Sequence, residues 1–103
     1  MIVYSDRTVV TAAVLDWAED EPARMAWLAG CLARHLTADW GDLDPEDRAA
    51  NDHALRHGQG RVLSAYQLPA ELADTARESR IWVITDDLDD PDTATTILWP
   101  SDY

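Results

Sequence analysis

Two residues that enzymes use as nucleophile and base lie four positions apart in the first half of the chain. Cys31 and His35 share one face of a predicted helix, because residues four apart in a helix are neighbours. An imidazole beside a thiol lowers the pKa of the thiol, which a nucleophilic cysteine requires. A buried, unreactive cysteine beside a partly buried histidine fits the same spacing, and no third orienting residue is identifiable. We therefore predict no catalytic site at this pair.

A second pair with the same spacing, His53 and His57, is of the kind that binds a transition metal. The residues between them lack the glutamate of the zinc-protease motif, and Arg56 would repel a cation. A third ligand would have to come from elsewhere in the fold. We predict two solvated histidines on a helix surface, and neither a metal site nor a cofactor.

A loop near the carboxyl end is rich in carboxylates, which are the ligands that calcium prefers. It departs from the EF-hand pattern, because it lacks the glycine at the sixth position and has Ile97 where the glutamate should stand. A solvated hairpin tip is therefore predicted, and weak binding of a divalent cation is left open. The serines and glycines form no nucleophile or phosphate-binding motif, so we predict that the protein is not an enzyme. The five aspartates of this carboxylate-rich loop, called the hairpin acids below, are Asp86, Asp87, Asp89, Asp90 and Asp92.

Three helices are predicted in the first sixty residues. The segment Thr8–Ala18 has helical hydrophobic spacing, although its first residues are β-branched and favour a strand, and a hairpin over the first fifteen residues is the alternative. A helix from Pro22 to Thr37 follows from an acidic start, a proline at its first turn and leucines at helical spacing. In the third helix Asp44 is the predicted cap and Pro45 the first helical residue, and Gly58 ends it after His57.

The pattern then changes to three short runs of β-formers, Arg61–Tyr66, Arg80–Thr85 and Ala94–Trp99. The second and third are predicted to pair as an antiparallel hairpin, and Pro69–Ser79 is predicted to hold a short helix. We expect one α+β domain over residues 1–103. Its three or four helices pack on one face of a small antiparallel sheet of about three strands.

The composition limits the function more than any motif does. Of 103 residues 47% are hydrophobic, so a folded domain with one core is expected. Twenty acids face eight arginines and no lysine, giving a formal net charge of −12, which argues against binding a nucleic acid directly. A lone cysteine allows no internal disulfide, and no apolar run is long enough to cross a bilayer. We expect a cytoplasmic protein that does not enter membranes.

The acids are clustered in or beside predicted turns. Two or more clusters on one face would imitate the charges of a nucleic-acid backbone and steer the protein onto a basic partner surface. General solubility, or adaptation to a salty cytoplasm, explains the same charge. Trp27, which lies opposite the apolar stripe and near two arginines, is a candidate interface anchor, although a packing partner would bury it equally well. The clusters are the junction acids Asp16, Glu19, Asp20 and Glu21, the connector acids Asp39, Asp42, Asp44, Glu46 and Asp47, and the hairpin acids.

Three features of the second half stand out together: Asn51 and Asp52 with Arg56, the run from Gly60 to Val62, and the closing run from Thr95 to Tyr103. Through them the second half resembles a family of small uncharacterised proteins carried on bacterial plasmids and mobile elements. It implies a mobile-element setting, in which small acidic proteins often inhibit restriction or CRISPR systems by occupying their nucleic-acid sites. It implies no catalytic residue, substrate or cofactor.

Two functions are therefore predicted as alternatives. The first is a non-catalytic acidic protein that mimics nucleic acid, blocks the basic surface of a nucleic-acid-binding protein or defence complex, and so acts as an anti-restriction or anti-CRISPR inhibitor. Its predicted partner-binding residues are the connector acids, the hairpin acids and Trp27. The second is a small regulatory or assembly module that recognises a protein through tryptophan and helix surfaces, with acidity serving solubility only. Self-association into a homodimer is left open.

Overall fold

A computed structural model describes residues 7–103 and shows an α+β domain. Three helices, α1 (Ala12–Ala18), α2 (Pro22–Leu36) and α3 (Pro45–His57), precede most of the sheet. Its strands are β1 (Arg7–Val10), β2 (Val62–Gln67), β3 (Arg80–Thr85) and β4 (Ala94–Leu98), in the order β1-β4-β3-β2. The sheet is mixed, since β1 runs parallel to β4 while the other pairs are antiparallel. The α+β class is confirmed, with four strands where about three were predicted.

The amino-terminal helix prediction is wrong at its start. Residues from Arg7 to Val10 form a strand along β4, which satisfies their main-chain groups and suits their β-branched side chains. The helix begins only after Thr11, whose hydroxyl accepts a hydrogen bond from the main-chain N–H of Val14. Val10 packs on the core from the strand, so its apolar side chain fitted the helical spacing and the predicted helix began four residues too early. The hairpin alternative falls partly on residues 1–6, which lie outside the described residues.

The predictions of α2 and α3 are confirmed. The Asp44 carboxylate caps α3 by accepting from the N–H of Asp47, Pro45 is its first residue, and Gly58 ends it in the left-handed conformation at φ +61°. In α2 the proline start and the basic end at Arg34 and His35 fit the helix dipole. The predicted helix between β2 and β3 is only a short 3-10 turn, Ala70–Leu72, because two residues of that segment, Asp74 and Thr75, instead offer acceptors to α1 and α2.

The main core lies between the inner face of the sheet and helices α1 and α2. Alternate residues of the strands face inward, and Trp17 meets the Trp99 ring edge to face at 5.4 Å. The core's fully or nearly fully buried members include Val14, Leu28, Cys31, Tyr66, Ile81, Val83 and Ile97. A smaller cluster around Trp40 and Val62 holds α3 against the sheet through Ala54 and Leu55.

The outer edge of β2 is sealed by side chains and loop main chain. The Asn51 amide both donates to the carbonyl of Leu63, at 2.7 Å, and accepts from its N–H, at 3.1 Å. Two residues further along the strand, the N–H of Ala65 donates to the Trp40 carbonyl, and the Ala65 carbonyl accepts from the Asp42 N–H. No outward main-chain group of Leu63 or Ala65 is left to pair with another strand, which fixes α3 along this edge.

Candidate functional site: an acidic surface and a groove beside helix α3

The Cys31 and His35 pair does not form a nucleophile with its base. Cys31 is buried in the core, and burial raises the pKa of its thiol to about 12. The His35 ring is fully buried and both of its nitrogens bond elsewhere, Nδ1 to Ser64 Oγ at 2.6 Å and Nε2 to Thr85 Oγ1 at 2.9 Å. The thiol is therefore kept protonated and away from solvent, as the buried interpretation of this spacing requires.

His35 belongs instead to a chain of buried polar groups across the sheet. The hydroxyl of Thr85 also hydrogen-bonds to that of Thr95 on the next strand, at 2.7 Å. Burial lowers the pKa of His35 from its usual 6.5 to about 4, so the ring is neutral near pH 7. These buried hydrogen bonds connect α2 to strands β2, β3 and β4. Sequence reasoning missed it, because Ser64, Thr85 and Thr95 lie in three separate strands.

The two surface histidines lie close together on α3. The rings of His53 and His57 are exposed, with centroids 4.3 Å apart. Within residues 7–103 no group of three potential ligands surrounds a point where a metal could bind. Nearby on α3, Asp52 accepts a hydrogen bond from the Trp40 indole N–H at 2.9 Å.

The connector acids are all exposed, but three of them have structural tasks as well. Asp39 forms an ion pair with Arg34 at 2.7 Å, which lowers the pKa of its carboxyl through that hydrogen bond. The Asp42 carboxylate accepts from the N–H of Gln67, next to the main-chain contacts that seal the β2 edge. Asp44 caps α3. Glu46 and Asp47 occupy the first turn of α3, where negative charge is favoured.

The hairpin acids are exposed and shape their own loop. The carboxylates of Asp87 and Asp90 each accept from the N–H two residues on, as in Asx turns. The Asp87 and Asp89 carboxyls lie close together, and their shared hydrogen bond raises the pKa of Asp87 and lowers that of Asp89. Five carboxylates thus project from one tip whose backbone is held by two of them.

The connector and hairpin acids lie at opposite ends of β2. The Asp42 carboxylate accepts a hydrogen bond from the N–H of Gln67, the last residue of the strand. At the other end, the N–H of Leu88 in the hairpin loop donates to the carbonyl of Gly60, just before the strand, at 2.8 Å. Six residues of strand separate the two ends by about 17 Å. Helix α3 runs between them and carries Arg56 and both surface histidines near its carboxyl end. The acids therefore form two patches, not one continuous row.

Trp27 is packed rather than free. Its ring is half-buried and meets Trp17 edge to face, with centroids 6.4 Å apart, at the rim of the main core. The junction acids surround the nearby turn between α1 and α2 and are exposed. Trp27 retains an accessible part, but its position is explained by a packing partner, the alternative that the sequence left open.

A groove of about 680 Å³ lies between the amino-terminal half of α3 and the outer face of β2 and β3. Its floor is made by alternate, outward-facing strand residues, Leu63 and Ala65 on β2 and Trp82 on β3. Arg61 and Arg80 stand at its two ends. The remaining lining comes from the connector and α3, namely Asp42, Leu43, Asp44, Asp47, Ala50 and Asn51.

The two arginines of the groove make contacts within the protein, whereas two of its carboxylates form no ion pair with the described residues. The Arg61 guanidinium lies over the Tyr103 ring, 5.3 Å from its centroid, and donates to the Tyr103 hydroxyl. Arg80 donates to the Gln67 side chain and to the Asp42 carbonyl, both at 3.4 Å. By contrast, no ion pair within the described part of the chain engages Asp44 or Asp47. The Trp82 side chain is half-buried in this groove.

Searches of protein-family models, of curated proteins and of solved structures find no match to this chain. The resemblance of the second half to proteins of bacterial mobile elements stays a prediction. Among residues 7–103 no helix has the length and apolar character needed to cross a membrane.

Proposed function

We propose that this protein is a non-catalytic acidic interaction protein that covers a basic surface of a nucleic-acid-binding protein. The observation that carries the proposal is the exposure of all ten connector and hairpin acids, of which only Asp39 is in an ion pair within residues 7–103. Exposed carboxylates of this density attract a basic surface over long range and compete with the phosphates it normally binds. Neither a cofactor nor a metal takes part.

The choice of aspartate at the turns supports the proposal. Caps and Asx turns of the kind made by Asp44, Asp87 and Asp90 need a short side chain with an acceptor oxygen, which asparagine supplies equally well. The chain nevertheless contains fifteen aspartates and a single asparagine, Asn51. The negative charge thus exceeds what local structure requires.

The setting of this function is proposed from the sequence resemblance. A cytoplasmic protein of a bacterial plasmid or mobile element benefits from blocking the host's restriction or CRISPR complexes, whose nucleic-acid sites are basic. An acidic protein that occupies such a site prevents the phosphate contacts on which binding depends.

The test is a tagged pull-down from a bacterial lysate, washed at low and at high salt and challenged with duplex DNA. We expect a nucleic-acid-handling complex that is released by either challenge, because screening at about 0.5 M salt weakens exposed charge pairs strongly. The decisive variants replace the five hairpin acids, or the five connector acids, with Asn or Gln. The matched control neutralises the four junction acids, which lie outside the proposed surface.

If both five-acid variants still retained the complex, the proposal would be overturned, as it would by loss of binding in the junction control alone. Binding that persists through high salt and DNA would instead favour a regulatory or assembly module. The groove beside α3 is the observation that favours this second candidate, since its apolar floor offers a contact that salt does not weaken.

A further inference from the structure

We propose that the groove beside α3 binds an extended, arginine-bearing segment of a protein partner. This inference rests on the proposed function, because the segment is taken to belong to the basic partner, and it names the place where that partner inserts a side chain. The argument depends on the shape of the groove, on the distribution of its charges and on the half-buried ring of Trp82.

The shape fits an extended polypeptide. The groove runs along β2, from Arg61 at one end to Arg80, the pairing partner of Gln67, at the other, with α3 as one wall. Six residue steps of strand measure about 20 Å, the length of about six residues of an extended peptide. The main-chain groups of Leu63 and Ala65 are already paired along the strand edge, so the peptide lies over side chains and does not add a strand.

The charges fit a cation near the middle of that peptide. Asp44 and Asp47 face the groove, and within residues 7–103 neither carboxylate has a cationic partner. The two arginines of the groove form no ion pair with either carboxylate. Arg61 is held by Tyr103, and Arg80 donates to an amide side chain and a main-chain carbonyl. The remaining N–H groups of these arginines can donate to the carbonyls of the bound segment at either end.

Arginine is favoured over lysine because of Trp82. A guanidinium is planar, stacks on an aromatic ring and binds a carboxylate through two hydrogen bonds, whereas an ammonium does neither as well. The described residues contain this contact three times, with Arg24 over Trp17, Arg34 over Tyr66 and Arg61 over Tyr103. No arginine of the described residues lies over Trp82, although the half-buried ring lines the same groove as the two carboxylates.

The test titrates the 15N-labelled full chain with the peptide acetyl-Gly-Ala-Arg-Ala-Gly-amide, up to about 5 mM, which detects a weak millimolar complex. We expect shifts of the Trp82 indole N–H and of the Asp44, Asp47 and Ala50 amides. The same peptide with neutral citrulline should bind about fivefold more weakly, in proportion to the lost charge.

The variant D44N/D47N removes two charges and keeps the α3 cap, because asparagine is an equally good cap. We expect it to weaken peptide binding about fivefold, whereas D86N/D92N, which removes the same charge from the hairpin, should change it less than twofold. Shifts centred elsewhere, no shifts at all, or equal effects of the two variants would overturn the inference. A basic partner captured from lysate by D44N/D47N as well as by the unmodified protein would leave the proposed function standing and remove only the groove from it.

Discussion

Lowering the pH from about 7 to about 5.5 is expected to destabilise the protein by about 1 kcal/mol through His35 alone. The ring is fully buried, and both nitrogens are engaged by the hydroxyls of Ser64 and Thr85. Its pKa is about 4 in the folded protein and 6.5 when exposed, so the unfolded chain binds the proton more readily. Stability is therefore lost as the pH falls below about 6.5, and the loss levels off near pH 4, at about 3 kcal/mol.

The assay is urea unfolding followed by tryptophan fluorescence at several pH values in that window. The variant H35Q removes the titrating group, so its pH dependence should be flatter than that of the unmodified protein by about 1 kcal/mol between about pH 7 and pH 5.5. The control H53Q/H57Q removes two exposed histidines and should retain the full dependence. Parallel curves for H35Q and the unmodified protein would refute the reasoning, since the shared effect of the twenty acids cancels in the comparison.

Three further predictions concern the edge of β2 and the core. N51A should lower the free energy of unfolding by about 2 kcal/mol or more, because it unpairs two main-chain groups of one strand residue, and an unchanged urea midpoint would contradict this. G41A should destabilise strongly, by about 2 kcal/mol or more, because Gly41 has φ +73° and an added Cβ would meet the Ala65 carbonyl. The matched change G30A, in open space within α2, should instead stabilise by up to about 1 kcal/mol, and equal midpoints would contradict both. Cys31 should react with an aromatic disulfide reagent only as fast as the protein unfolds, and rapid reaction of the folded protein would show that its thiol is accessible.

Local signals in the sequence were sufficient for the helices that carry their own caps. The cap at Asp44, the proline after it and the left-handed Gly58 lie at the two ends of α3, so no distant residue was needed to place its bounds. The first strand is different. Its four residues become a strand only because β4, almost ninety residues later, offers a parallel partner, and this pairing has no local signature.

The groove could be predicted only in part, for the same reason. Alternation along the strands places Leu63 and Ala65 on one face of β2, and Trp82 on one face of β3, so an aromatic residue facing outward could have been found from the sequence. The opposite wall could not, because the position of α3 depends on Asn51 reaching the main chain of β2. Likewise, the acidic clusters were visible in the sequence, whereas their separation by the length of β2 is a property of the fold.

The fold and the charge of this protein are separable, which makes the proposed function open to a direct test. Where an aspartate side chain caps a helix or closes a turn, as at Asp44, Asp87 and Asp90, it does so through an oxygen that asparagine also offers. Removing the charge therefore leaves the caps and turns intact, and it also relieves repulsion within a chain of net charge −12. A neutralised variant should remain folded. Any loss of partner binding in it then reports the charge itself, because the backbone that presents the charge is unchanged.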